Sequence, residues 1–573
     1  MLYRLLSPAN ENTFSLFNDY TPMFEMPYFR AQLQGGIGSW KEKRAITEDS
    51  LDVYGGLPGL AFDVAGFFND DRGLRKRNSD DKNYSFIALL KWEPTVHHSL
   101  LGNFSYLDVE RGDDRNLNDY GYANERYWRQ YSHYRTYELG YVYRFNPKAT
   151  FLAYYNYSSQ DNNTKNIYGG SETTPFNFPP FAFIPGTWYI TDSGYATYDF
   201  KEYLLQLTPH EFHNVQIQQQ LVIGDHTFFG GFDYFTGHLK YRSNDQLELF
   251  YKNYYNLITT WTFPGLPFLN TSFSNPYVLP LNTAISGASN LAYRPPERNY
   301  SFYLLDYWKI LPNLMVQMGV LKDYAKSSRA GFPTPIYNNK WGGLLGINFQ
   351  ITSKHTLRLA LQSHVNTHYF TSASLIPPEI ASFPWQINVD NGSQVREVGL
   401  AWEAQWNPKT FSVLRLDAHR ISVPLYEVAP DGSEPRVYWM WKRYLASLTV
   451  NRILGRYFGL SLGAVVKKID PNFVGSYDYK EYNGFGQLVF WHPSGFRAGI
   501  NSVLVKQDLT NRGDNLYGLV NAMVGYEFPG TRGLASLEVT NLLNRHFFYQ
   551  REFVTFESFY PARRLMFKLA LYF

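Results

Sequence analysis

The last ten residues, Arg564-Leu565-Met566-Phe567-Lys568-Leu569-Ala570-Leu571-Tyr572-Phe573, decide the fold. Leu565, Phe567, Leu569, Leu571 and Phe573 alternate with Arg564, Met566, Lys568 and Tyr572. A period of two puts the first set on one face of a strand and the second on the other. The apolar face suits hydrocarbon and the charged face suits water.

The pattern recurs upstream. Val215, Ile217, Leu221 and Ile223 alternate with Gln216, Gln218 and Gln220. Tyr137, Leu139, Tyr141, Tyr143 and Phe145 alternate with Glu138, Gly140, Val142 and Arg144, and Val398, Leu400, Trp402, Ala404 and Trp406 with Glu397, Gly399, Glu403 and Gln405. Short polar or Gly/Pro links separate many of these runs: Leu57-Pro58-Gly59, Asn146-Pro147-Lys148, Gly224-Asp225-His226, Leu311-Pro312-Asn313, Ser353-Lys354-His355, Asn407-Pro408-Lys409, Leu454-Gly455-Arg456, Pro493-Ser494-Gly495 and Pro529-Gly530-Thr531. Between them lie longer links: Asp70 to Asn83, Glu110 to His133, Ser159 to Glu211, Ser243 to Arg298 and Thr371 to Gly392.

Together these predict an all-β chain, a transmembrane antiparallel β-barrel of about 22 strands with short periplasmic turns and long extracellular loops. The strands run from near Phe29 to Phe573, so residues 1–28 are read as a periplasmic segment and residues 29–573 as the barrel. An even number puts both ends of the wall on the periplasmic side. The expected location is the bacterial outer membrane, crossed many times.

Composition agrees. Aromatic residues make up 18% of the 573, with 47 Tyr, 44 Phe and 13 Trp. Tyr and Trp suit the two membrane rims, with the ring in the headgroup layer and the polar tip in water. Mean hydropathy is −0.35, and no run of about 18 apolar residues offers a membrane helix. The soluble alternative, one or more β-sandwiches, would turn the apolar face inward and carry fewer large aromatics. Absence of Cys fits export, and a net charge of +3 implies no nucleic-acid partner. The first residues, Met1 to Pro8, lack the apolar core of a signal peptide, so a mature, truncated or partial chain is expected.

The end of the chain resembles a known family. Leu537-Glu538-Val539-Thr540-Asn541-Leu542-Leu543-Asn544-Arg545, then Phe547-Phe548-Tyr549 and Pro561-Ala562-Arg563-Arg564, looks like the closing hairpin of TonB-dependent receptors. That resemblance implies a 22-stranded barrel holding an N-terminal plug, importing scarce ligands such as siderophores, cobalamin or glycans. A plug takes on the order of 100 residues, and residues 1–28 are too few for one. The plug is therefore expected to be missing or supplied separately. A second resemblance links Asn12 to Phe24, Gly35 to Ser39, and Ile376-Pro377-Pro378-Glu379 with Trp385-Gln386 to barrels preceded by tetratricopeptide repeats. It implies export: a conduit enclosing a secreted polymer, filament or partner protein. No repeat of about 34 residues is present.

Candidate site residues follow from these readings. Leu569, Leu571 and Phe573 resemble the signal read by the barrel assembly machinery. Arg72, Arg75, Lys76 and Arg77 cluster in one loop and could grip lipopolysaccharide phosphates, or simply be solvated. Phe181, Trp188, Trp261, Phe263 and Trp385 lie in long aromatic- and Pro-rich links and are read as extracellular contacts. Pro is expected to keep those links out of strand ladders. His210-x-x-His213 reads more readily as wetted surface than as a metal pair. Asp113, Asp114, Asn116, Asn118 and Asp119 read as a solvated loop, without EF-hand spacing. No nucleophile–base set is legible, so no enzyme activity, cofactor or metal is expected. Partners are expected among outer-membrane lipid and lipopolysaccharide, the assembly machinery, and a separate plug, periplasmic protein or lumen-filling partner.

Overall fold

The computed structural model describes residues 28–40, 45–73, 78–112, 129–177, 181–184, 188–207, 210–239, 241–262, 271–275, 279–293, 296–327, 336–367, 374–377, 379–384, 392–426, 436–472, 479–509, 513–550, 557–559 and 562–573. The wall begins with β1 (Tyr28–Trp40), β2 (Ala45–Leu57), β3 (Leu60–Asp71), β4 (Asp81–Thr95), β5 (His98–Arg111), β6 (Arg129–Asn146) and β7 (Ala149–Asn177). After β8 (Phe181–Ile184) and β9 (Trp188–Leu207) it continues with β10 (His210–Ile223) and β11 (His226–Leu239). After β12 (Tyr241–Thr262), β13 (Thr271–Asn275) and β14 (Leu279–Tyr293) come β15 (Pro296–Leu311), β16 (Leu314–Ser327), β17 (Ile336–Thr352) and β18 (His355–Val365). A small hairpin, β19 (Glu379–Ile380) and β20 (Phe383–Pro384), precedes β21 (Gln394–Asn407) and β22 (Thr410–Tyr426). Then follow β23 (Arg436–Leu454), β24 (Phe458–Asn472), β25 (Tyr479–Trp491), β26 (Phe496–Leu509), β27 (Gly513–Glu527) and β28 (Gly533–Thr540). A second hairpin, β29 (Phe548–Gln550) and β30 (Glu557–Phe559), leads to β31 (Arg564–Tyr572).

Every wall strand pairs antiparallel with its neighbours, and β31 pairs with β1 from Trp40↔Arg564 to Gln32↔Tyr572. The sheet is thus a closed barrel of 22 strands. Closure removes the sheet edge, the condition hydrocarbon imposes on a strand-built span. The read turns are all present, with a further one at Val96-His97, which no Gly, Pro or Asn marks.

The alternation sorts inside from outside as the sequence predicts. On β10, Val215, Ile217, Leu221 and Ile223 are exposed on the outer face, while Asn214, Gln216 and Gln218 are buried on the inner one. On β21, Val398 and Leu400 point out and Glu397 points in. Outward rings gather near the short turns, among them Trp92, Phe145, Trp308, Trp406 and Phe496. A second belt near the other rim includes Tyr84, Tyr337, Trp341 and Tyr438. Two aromatic girdles around an apolar band are what a membrane-spanning barrel presents to lipid.

Two long links differ from expectation. Ser159 to Glu211 and Ser243 to Arg298 are largely strand. The upper part of β7 pairs with β9 from Asn163↔Leu207 to Asn177↔Ser193. β9 pairs with β12, and β12 with β14. These strands continue β7, β10, β11 and β15 past the lipid, so the wall extends outward as a four-stranded sheet, roughly 50 Å along β7 at strand rise. Pro does not exclude the ladder here: Pro175 and Pro280 lie in β7 and β14, the strands at the two margins of this sheet, each paired on one side only, where Pro is tolerated.

Candidate functional site in the barrel lumen

The inner face of β15–β21 carries an unusual patch. Tyr303, Leu305, Leu321, Leu344, Ala360 and Ala401 all occupy lumen positions, yet all are apolar and buried. What buries them is the chain between β18 and β21. Residues 374–377 and 379–384 lie inside the barrel, and Ile376, Ile380, Ala381 and Phe383 pack on that patch. This corrects the expectation that Thr371 to Gly392 is wholly an outer loop. The physical reason is that its apolar residues match an apolar area of the inner wall, and burying both removes them from water.

The segment is also held by hydrogen bonds. The Leu375 N–H donates to Gln216 Oε1 (2.6 Å) and Gln218 Nε2 donates to the Leu375 carbonyl (2.8 Å). The Ala381 N–H donates to Gln317 Oε1 (2.6 Å), and Gln362 Nε2 donates to the Pro384 carbonyl (3.2 Å). At its entry, Ser301 Oγ donates to Asp323 Oδ1 (2.6 Å), and Asp323 Oδ2 accepts from the Val365 N–H (3.1 Å). At its exit, Asn338 Nδ2 donates to the Gly392 carbonyl (2.7 Å). Ala381 and Ser382, the tip between β19 and β20, have φ of 48° and 66°. Two successive non-glycine residues in the left-handed region cost energy that surrounding contacts must supply.

Two glycines make room. A Cβ on Gly346 would meet Ile380 Cγ2 at 2.6 Å, and one on Gly399 would meet the Phe383 ring inside van der Waals contact. Gly399→Val is expected to lift Phe383 from its seat, with an overpacking cost of about 1–3 kcal/mol. Faster hydrogen exchange at the Ala381 amide would report it. Restoration of slow exchange is not expected from Phe383→Ala in the same chain, because removing the ring relieves the clash and the anchor together; persistent protection in Gly399→Val alone would refute the seat.

Beside the Phe383 ring lies a charged group. Arg415 Cζ sits 4.6 Å from the ring centroid, within cation–π range. Arg415 Nε donates to Asp417 Oδ2 (2.8 Å), and His419 Nε2 lies 2.9 Å from Asp417 Oδ1. His419 Nε2 is also 3.7 Å from Glu397 Oε1 and 3.3 Å from Arg443 Nη2, and Glu397 accepts from Gln362 Nε2. This group binds β18, β21, β22 and β23 together on the lumen side and stiffens the wall under the segment. Among the described residues no cluster of three or more His, Asp or Glu has metal-ligand geometry. His210 and His213 cannot share an ion: His213 stacks outward on Tyr155 and Tyr157, whereas His210 lies on the lumen face.

The sequence-selected residues fall in several places. Leu569 pairs with Gly35 and Ala535, and Leu571 with Leu33 and Gly533, at the seam of the barrel. Phe573 exchanges backbone hydrogen bonds with Ala31 (2.8 and 3.1 Å) and leaves its ring exposed. Arg72 reaches Asp70 at 3.7 Å, while Arg75, Lys76 and Arg77 lie outside the described residues. Phe181 of β8 and Trp261 of β12 both pair with Ile190 of β9, and Trp188 pairs with Ile184, near the top of the outer sheet. Phe263 and Trp385 lie outside the described residues, as does the Asp113–Asp119 loop. The lumen segment itself escaped the sequence reading; its available signal was apolar residues at inward parity on β15, β16 and β17.

The Asn-Leu segment acquires a physical role. Asn541 and Asn544 have φ of 52° and 50°, a region Asn tolerates well. Asn541 Oδ1 accepts from the Arg545 N–H and its Nδ2 donates to the Arg545 carbonyl, both at 2.9 Å. Asn544 Oδ1 accepts from the Arg563 N–H (3.1 Å), tying the start of the last strand to this turn.

No family model matches the sequence, and no curated protein matches it. Solved structures do. The copper transporter OprC superposes with a TM-score of 0.62 at 12% identity, over 96% of this chain and 83% of OprC. The ferric citrate transporter FecA gives 0.61 at 12% identity, over 96% and 79%. FpvA of P. aeruginosa, bound to a pyoverdine, gives 0.58 at 12% identity, over 95% and 72%. The chain therefore has the barrel fold of TonB-dependent receptors, a multi-pass fold of the outer membrane.

Proposed function

We propose that this chain is an outer-membrane channel or receptor of the TonB-dependent type that moves a ligand across the outer membrane and catalyses no reaction. Its plug is supplied by residues outside those described or by a second protein. The carrying observation is the segment 374–384 seated on the inner wall, which turns a plain tube into a shaped passage. A built constriction serves selection of a ligand. It also narrows the passage an export conduit would need for a polymer or folded partner, which weighs against that reading. The cargoes printed for the similar structures, copper, ferric citrate and ferripyoverdine, mark the ligand class to test first.

The segment lies against β10, β11 and β15–β22 and leaves the remaining arc of the described wall uncovered by it. The purified chain in a planar bilayer is therefore expected to pass ions in discrete steps. Removing residues 374–384 should enlarge each step. A chain that stays non-conducting with that segment removed would overturn the channel reading. Unchanged step size would show that the segment does not narrow the path.

A further inference from the structure

The outer face of β21–β25 carries a band of cations where the wall leaves the hydrocarbon. Arg396 on β21 is the register partner of Arg420 on β22, and Arg420 of Lys442 on β23. One row away, Lys468 on β24 is the partner of Lys480 on β25. All five are exposed. They share outward parity with Val398, Leu416, Tyr444, Val466 and Tyr482 of the lipid-facing band. They also lie toward the long-loop ends of their strands, at the level of Tyr438 and Tyr444.

Like charges directly opposed on neighbouring strands destabilise the pairing. Here the opposition occurs three times, and among the described residues none of Arg396, Arg420 and Lys442 forms an ion pair. One acid, Asp470, is the register partner of Lys442, without a salt bridge to it. Basic charge is not general to this rim: on β2, β3 and β5 the outward rim positions include Asp49, Asp70, Asp108 and Glu110. Directly below the three cations the outer face dips where its side chains are small. A groove of about 800 Å³ is lined by Gly343, Leu361, Ser363, Val398 and Ala418, with Arg396, Arg420 and Lys442 along its border.

We propose that this band and groove form a docking site for a phosphorylated glycolipid of the outer leaflet. Its phosphates sit on Arg396, Arg420 and Lys442, and one acyl chain fills the groove. A guanidinium fork matches a phosphate with two parallel hydrogen bonds. A bridging dianion also converts the opposed cations from a repulsion into a clamp. A free phosphate would satisfy the charges and leave the groove empty, whereas a lipid satisfies both.

The test is a titration of the detergent-purified full chain with bisphosphorylated lipid A. R396Q/R420Q/K442Q is expected to weaken binding at least ten-fold and to flatten its salt dependence. Ala418→Trp, which fills the groove without altering charge, should weaken lipid A binding while leaving competition by inorganic pyrophosphate unchanged. Heat-modifiable gel migration checks that each variant is folded. Should the triple variant not fold, Ala418→Trp and the salt dependence of the unaltered chain decide the matter. Equal affinity for lipid A stripped of its phosphates, or no effect of either variant, overturns the proposal. Phosphatidylglycerol vesicles binding as tightly as lipid A would also overturn it, in favour of a general affinity for anionic lipid.

Discussion

Truncating Phe383 to Ala should cost about 3–5 kcal/mol of the free energy that holds the 374–384 segment in the lumen. The ring is almost completely buried, 1% exposed. It lies on Gly399 and beside the Arg415 guanidinium, so its loss removes apolar burial and a cation–π contact together. No neighbour on a closed wall can move inward to fill the space, because each is held by two strand ladders. The loss should appear locally. The Leu375 and Ala381 amides, bound to Gln216 and Gln317, are expected to exchange at least a hundred-fold faster. Barrel unfolding in denaturant should hardly move. Unchanged exchange at both amides would mean that the ring is not the anchor.

The second large effect concerns the seam. Leu569→Arg puts a charge on the lipid-facing side of β31 and is expected to destabilise the barrel by about 2–4 kcal/mol near the midplane, less near a rim. Its neighbour makes the control. Lys568 faces the lumen, 3.3 Å from Glu48 and 3.2 Å from Glu538, and Arg564 also pairs with Glu48. Lys568→Gln leaves Glu48 with Arg564 and leaves Glu538 in a wetted lumen, so its cost should stay near 1 kcal/mol. Refolding into lipid vesicles at graded urea measures both. Equal losses would show that the two faces are assigned wrongly.

Much of the barrel was legible because its strongest signal is local. Period-two alternation on β10, β21 and β31 names the face of each residue with no knowledge of its neighbours. The short turns are written in Pro, Gly and Asn, apart from Ser353-Lys354, a polar pair, and Val96-His97. The outer sheet was harder to read. Tyr, Asn, Ser and Thr fill β7, β9 and β12 where no lipid face demands alternation, so strand there is fixed by pairing between segments far apart in sequence. The lumen segment was harder still. Ile376, Ile380 and Phe383 become informative only once β15, β16, β17 and β21 are brought around them, and Gly346 and Gly399 look like ordinary strand glycines until then. The cation band has the same character: Arg396, Arg420 and Lys442 are separated by more than twenty residues at each step, and only the register makes them neighbours.

The pairing of β1 with β31 has a kinetic consequence. The first strand of the wall waits for the last, so the contact that completes the cylinder spans nearly the whole sequence and is the slowest kind to form. Until β31 has left the ribosome and crossed the inner membrane, no fragment can satisfy its own margins in a bilayer. A prematurely terminated product therefore stays in the periplasm, exposed to proteases, and the geometry of one seam acts as an inspection step during biogenesis.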